Sequence, residues 1–274
     1  MGPQHILRAL LVALAATLSV PAANAHDTAI LPVPFRVVAG APLTVQVSAG
    51  HGLTPLNGPR RRRLGQAALV GILSLQRPRR WRYGPKRSLL GFAPAPAGAQ
   101  LLALTTRLSY IEIDNRITGK YLDEVRPPAA QRALWEAQLE RGDPWREWYA
   151  KDARTYLRAG ASSNGWQRLS AGTGRLKQRL ELLPLNDPTR LRKGGMLRVQ
   201  LLLDGVAQPD VALRLFDRHG VEKVQRTDAG GRVSFVLARR GPHLIATTVL
   251  QPPSALREPW RSRFGTLGFH VGRA

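Results

Sequence analysis

Over residues 176–274 the apolar side chains fall at every second position, in short runs closed by turn residues. Leu197, Val199, Leu201 and Leu203 share one face before Asp204-Gly205, a hairpin signal. Val211, Leu213 and Leu215 repeat the pattern, and Val233, Phe235 and Leu237 follow the turn Asp228-Ala229-Gly230-Gly231. Arg179 to Leu185, closed by Asn186-Asp187-Pro188, precedes them, and His243 to Leu250 and Phe264 to Val271 complete the set. A period of two half-buries each strand, so the run can form sheets but not an amphipathic helix. Short strands at near-regular spacing predict an immunoglobulin-like β-sandwich.

The preceding part of the chain starts in the same way. Leu43, Val45 and Val47 alternate with Thr44, Gln46 and Ser48, and Ala67 to Leu75 and Leu101 to Ile113 are further strand candidates. Between them lie turn-rich stretches, in keeping with 26 glycines and 21 prolines. The period then changes. Ala129 to Arg141 carries Leu134, Trp135 and Leu139 at helical spacing, with Gly142 placed to end the helix in the left-handed conformation. Asp143-Pro144 reads as the start of a second helix, with Trp145, Tyr149, Ala153 and Leu157 on one face, Glu147 four residues before Lys151, and Gly160 as its stop. The expectation is an all-β protein: two immunoglobulin-like β-sandwich domains, 26–175 and 176–274, with a short two-helix insert at about 128–160.

The first 25 residues address the chain elsewhere. One charge, Arg8, precedes the apolar run Ala9 to Ala16, and Ala23-Asn24-Ala25 is a small-x-small cleavage site. This is the pattern of a secretory signal peptide, too short in its apolar part to span a bilayer. Cleavage after Ala25 would release a periplasmic chain beginning at His26. The absence of cysteine excludes disulfides, thiolate metal sites and a cysteine nucleophile.

The formal charge is +23, and it is unevenly placed. No Asp or Glu occurs from Gly52 to Gln100, where Arg60, Arg61, Arg62, Arg63, Arg77, Arg79, Arg80, Arg82, Lys86 and Arg87 all lie. Two readings stand side by side: a solvated loop in an arginine-rich chain, and a surface for anionic lipid or an envelope polymer carried chiefly by Arg60 to Arg63 with Arg79 and Arg80, which would make the protein a non-catalytic envelope interaction module in which His26 is incidental. Trp81 and Tyr83 among the arginines would suit base stacking, but the export pattern and the lack of any nucleic-acid-binding motif argue against such a partner.

Enzyme signatures are missing: there is no G-x-S-x-G, no H-E-x-x-H and no phosphate-binding glycine loop. Glu136 and Glu140 read as a solvated helix face, His219 as an exposed turn residue, and His243 and His270 as packed strand residues. No catalysis is expected. The histidine exposed by export is different. A chain beginning at His26 offers an α-amine, with a pKa of about 7.7–8.0, beside an imidazole of about 6.5, so one residue can chelate one metal ion. His51 could add a third nitrogen if its strand pairs beside the N-terminus, and Asp27 an oxygen. Nitrogen donors suit nickel, cobalt, copper and zinc. Amine plus two imidazoles is also a copper geometry, the histidine brace.

The ordered combination of His26-Asp27, "VAGAPLTVQVSAGHG", "LSYIEID", "EWYAKDARTYLRAG", "LELLPLNDP", "LRVQLLLDG" and "RTDAGGRVSFVLARRGPHLI" resembles the bacterial periplasmic family called domain of unknown function 4198. The resemblance covers most of the chain after residue 25. It implies an all-β two-domain protein with a helical insert, serving as a nickel or cobalt substrate-binding component that hands metal to an inner-membrane permease. The family's mature N-terminal histidine matches His26, and its loop histidine matches His51. Thr28, Ala29 and Ile30 stand where the family usually has an aromatic residue, and the arginine-rich stretch is atypical of it.

Overall fold

The computed structural model describes residues 26–272 except 36, 163–164, 172–175, 177, 221 and 256. The expected signal peptide lies outside the described residues. In chain order the first half comprises β1 (Asp27–Pro32), β2 (Leu43–His51), β3 (Thr54–Asn57), a 3-10 turn at Arg61–Arg63, β4 (Leu64–Val70), β5 (Leu75–Gln76), β6 (Arg80–Arg82), β7 (Ser88–Phe92), β8 (Gly98–Thr106) and β9 (Ser109–Ile113). Helices α1 (Asn115–Val125) and α2 (Ala129–Glu140) follow, then β10 (Trp145–Ala159) and the short helix α3 (Trp166–Ala171). The second half is all strand: β11 (Leu180–Pro184), β12 (Met196–Leu203), β13 (Val206–Ala207), β14 (Ala212–Asp217), β15 (Glu222–Arg226), β16 (Arg232–Val236), β17 (Gly241–Gln251) and β18 (Trp260–Val271).

The strands form three sheets. A nine-stranded sheet runs β15-β14-β17-β18-β10-β8-β4-β5, with β9 also on β10. It takes strands from both sides of residue 175. A five-stranded sheet, β1-β2-β7-β6 with β3 on β2, covers one of its faces, and a four-stranded sheet, β11-β12-β13 with β16 on β12, covers the other. The last eight strands make the expected immunoglobulin-like sandwich, with β11, β12 and β16 facing β15, β14, β17 and β18 across Leu182, Val199, Leu201, Leu213, Ile245 and Phe269.

Strands β4 and β8 are buried on both faces, which explains their unbroken apolar runs. Ala67, Leu69, Leu102 and Leu104 point into the core under the five-stranded sheet; Ala68, Val70, Leu101 and Ala103 point into the core under the four-stranded one.

The expected first helix is present as α2, closed by Gly142 at φ 75°. The second is not: residues 145–159 form the fifteen-residue strand β10. The misreading has a simple cause. Trp145, Tyr149, Ala153 and Leu157 are four residues apart, which keeps them on one face of a helix and equally on one face of a strand. Only pairing decides, and β10 finds partners on both edges, with β18 on one and β8 and β9 on the other. The helical insert is therefore α1 and α2, at 115–140. Helix α1 was not foreseen because Thr118 and Gly119 dilute its helical signal; it starts at Asp114, whose carboxylate accepts from the Arg116 N–H at 2.8 Å. Both helices lie over the start of β10 and β18, where Tyr121, Leu122 and Trp135 pack with Trp145 and Trp260, stacked at 4.6 Å.

Strands β10 and β18 run parallel, from Glu147 opposite Trp260 to Thr155 opposite Gly268. A methyl group on Gly268 would collide with Thr155 Oγ1 and lie 2.7 Å from Leu31 Cδ2. Gly268→Ala should therefore destabilise the whole protein by about 1–3 kcal/mol, as overpacking of a rigid core does, measured as a lowered urea midpoint with unchanged slope. An unchanged midpoint would show that this seam is not tightly packed.

Candidate metal centre

Strand β1 starts the described chain, and its register decides what surrounds His26. Asp27 pairs with Gly50 and Ile30 with Val47 on β2. The ladder ends at the Asp27 pair, one residue from His26 on the β1 side and one from His51 on β2, and the two histidines are near enough for His51 to influence the His26 pKa.

The other edge of β1 has no strand partner, yet its carbonyls are not left bare. Thr155 Oγ1 donates to the Ile30 carbonyl at 2.5 Å, Thr266 Oγ1 to Thr28 at 2.5 Å, and Lys151 Nζ to His26 at 2.5 Å. Side chains of β10 and β18 replace a neighbouring strand at alternate residues and so fix where His26 lies. The Lys151 ammonium sits 4.8 Å from the Phe264 ring centre and 5.8 Å from that of Tyr149. Burial lowers its pKa to about 8, against the pull of Asp27, Glu147 and Glu124 and with a small push from Arg63.

Beneath the histidines lies a chain of charges. Asp27 is buried, and its carboxylate accepts from Arg214 Nη2 at 2.8 Å and from the Gly52 N–H at 3.1 Å. Burial pushes the Asp27 carboxyl up, while Arg214 and the Gly52 N–H pull it down. Arg214 Nη1 lies 3.5 Å from Glu124 Oε1, and that oxygen is 3.2 Å from His51 Nδ1. The His51 ring stands edge-on to Phe216 at 5.2 Å, and its side chain is 57% exposed, so one side remains open to solvent.

His26 is half-buried, and its Nε2 is enclosed with no hydrogen-bond partner. Burial, with the Lys151 charge second, lowers its pKa below 6.5. Around it Lys151 and Arg214 stand among the carboxylates Asp27, Glu124 and Glu147. No three His, Asp or Glu side chains among the described residues converge on one point as a ready metal cage.

The remaining expected site residues lie apart. Arg60 precedes the 3-10 turn formed by Arg61, Arg62 and Arg63; Arg79 and Arg80 lie at the start of β6, and all six are exposed. Of these, Arg63 alone is close enough to influence Lys151. His243 is buried, with Nδ1 3.0 Å from the Gly241 carbonyl and its ring stacked on Phe269, an ordinary packed histidine as expected. Glu124, Lys151 and Arg214 escaped sequence reading. Glu124 is in the unforeseen helix α1, Lys151 looked like a helical ion-pair partner of Glu147, and Arg214 lies among apolar strand residues far along the chain.

Arg214→Met should strand the Asp27 carboxylate in the interior and cost about 3–5 kcal/mol, whereas adding Asp27→Asn should recover most of it; urea denaturation of both variants checks this. Burial lowers the pKa of His26, His243 and His270 alike. The unfolded chain then binds more protons below 6.5 than the folded one, so stability should be held above that pH and fall as pH drops through the folded values. A histidine-dependent loss of stability on the alkaline side instead would contradict the assignment.

A family model described as domain of unknown function (DUF4198) matches residues 23–251. A search of curated proteins gives no match. Among solved structures, the fibronectin(III)-like modules of CbhA from Clostridium thermocellum align over 93% of this chain and 93% of theirs, at 10% identity and a TM-score of 0.21. That score is too low to build on. The family match spans most of the chain, from His26 through β17, and on it the protein belongs to the domain of unknown function 4198 family.

Proposed function

We propose that the protein is a periplasmic divalent-metal-binding protein, without catalysis, that holds nickel or cobalt at its mature N-terminus for delivery to an inner-membrane permease. What supports this reading is the β1–β2 register, whose last pair, Asp27 opposite Gly50, lies one residue from each histidine, and the influence of His51 on the lowered His26 pKa. Cleavage after Ala25 supplies the third nitrogen. Amine and imidazole of one residue, with the imidazole of another, bind nickel and cobalt, and they also form the copper brace. Asp27 leaves the donor set: both of its oxygens are engaged, one by Arg214 and one by the Gly52 N–H. Its part is to hold the His51 loop against β14. Glu124 orients His51 through Nδ1, leaving Nε2 for metal, in the manner of outer-shell carboxylates.

Calorimetric titration of Ni²⁺, Co²⁺ and Cu²⁺ into protein beginning at His26 tests the reading. One added residue before His26 turns the amine into an amide and should abolish binding as fully as His26→Ala. His51→Ala should weaken it less, because the two-nitrogen chelate survives. Affinity should fall about tenfold per pH unit below roughly 7.7, as the amine takes up a competing proton. Equal binding by the extended form would overturn the N-terminal site, and no binding by any form would overturn the metal reading.

A further inference from the structure

We propose that the open edge formed by β5 and β6 is a docking face for an anionic phospholipid bilayer. This is independent of the metal reading. Strand β5 ends the nine-stranded sheet and β6 ends the five-stranded one, so both sheets present a free edge in the same stretch of chain. Arg77, Arg79, Arg80, Arg82, Lys86 and Arg87 are exposed there, and Arg60 to Arg63 are exposed at the entry to β4.

None of these ten cations makes an ion pair among the described residues, although thirteen ion pairs occur elsewhere in the fold. Several are held in place rather than left loose. Arg60 reaches over the Tyr83 ring at 6.0 Å, Arg87 donates to Gln46 Oε1 at 3.2 Å, and the side chain of Arg80 lies along Gly91.

Charge alone would do no more than keep two free edges from pairing with other chains. The second observation is apolar. Between β4 and β5, Leu73 is 93% exposed, and Leu75 and Tyr83 are exposed on the same acid-free stretch. A bare leucine at a hairpin tip beside unpaired arginines has the composition of a peripheral membrane contact, in which the side chain enters the headgroup boundary and the cations meet lipid phosphates.

Flotation of the protein beginning at His26 with vesicles tests this, using phosphatidylglycerol mixed with phosphatidylcholine against phosphatidylcholine alone. Binding should be confined to the anionic vesicles and should fall steeply between 50 and 300 mM salt, as the screening length shortens from about 14 Å to about 6 Å. Replacing Arg77, Arg79 and Arg80 with serine should weaken it by on the order of a hundredfold, about fivefold per charge. Replacing Arg60 to Arg63 with serine is a second variant, on the segment that enters β4 and reaches Tyr83, and should act in the same direction. Leu73→Ser should weaken binding roughly tenfold while leaving the salt dependence unchanged. Each variant should keep the circular dichroism spectrum of the parent. Equal binding to neutral vesicles, no binding to either, or tighter binding to duplex DNA than to anionic vesicles at the same salt would overturn the proposal.

Discussion

The parallel ladder between β10 and β18 is the constraint on which the rest of the structure depends. Parallel neighbours cannot be joined by a tight turn, and here the intervening chain is nearly the whole immunoglobulin-like sandwich. The long return path makes one sheet out of two halves, and it buries β4, β8 and β10 between two covering sheets. It also brings Thr155, Lys151 and Thr266 to one line, where they satisfy the carbonyls of β1. Without the seam β1 would have one edge unpaired, and His26 would have no fixed position.

Around that seam, buried polar groups are matched rather than avoided. Asp152 accepts from Thr105 Oγ1 at 2.9 Å and from the Leu180 N–H at 3.1 Å, tying β10 to β8 and β11. Arg154 donates to Gln178 at 2.5 Å and to Glu181 at 2.8 Å, reaching from the central sheet to the four-stranded one. Glu147 accepts from Tyr121, Trp145 and Ser262, joining α1 to β10 and β18. Burial pushes the Glu147 and Asp152 carboxyls up, offset by these donors. Interactions of this kind contribute little net energy, but they penalise any other alignment of the layers, because a shift would leave a charged or polar group bare in the core. Asp27 and Arg214 do the same for the N-terminal strand.

The two parts of the molecule with functional interest differ in electrostatic design. Around His26, Lys151 and Arg214 stand among the carboxylates Asp27, Glu124 and Glu147, so charges of both signs are mixed there despite the overall charge of +23. Along the β5–β6 edge there is no such mixing, and the cations face solvent.

The sequence by itself determined the fold class, because period-two alternation closed by turn residues can be satisfied only in sheets, and it was clearest where each strand has one buried and one open face. Strands β11, β12, β14, β16, β17 and β18 were legible for this reason, and helix α2 by its helical spacing and Gly142 terminator; β13 and β15, which bury no side chain, were not. Tertiary structure alone decided that residues 145–159 are a strand, since a spacing of four suits helix and strand equally and the choice rests on partners more than a hundred residues away. It also decided that Asp27 serves an arginine, and that Glu124 and Lys151 stand beside the histidines. Those contacts join α1, β10 and β14 to β1, and no local pattern encodes which distant strand a long chain will bring back against its own beginning.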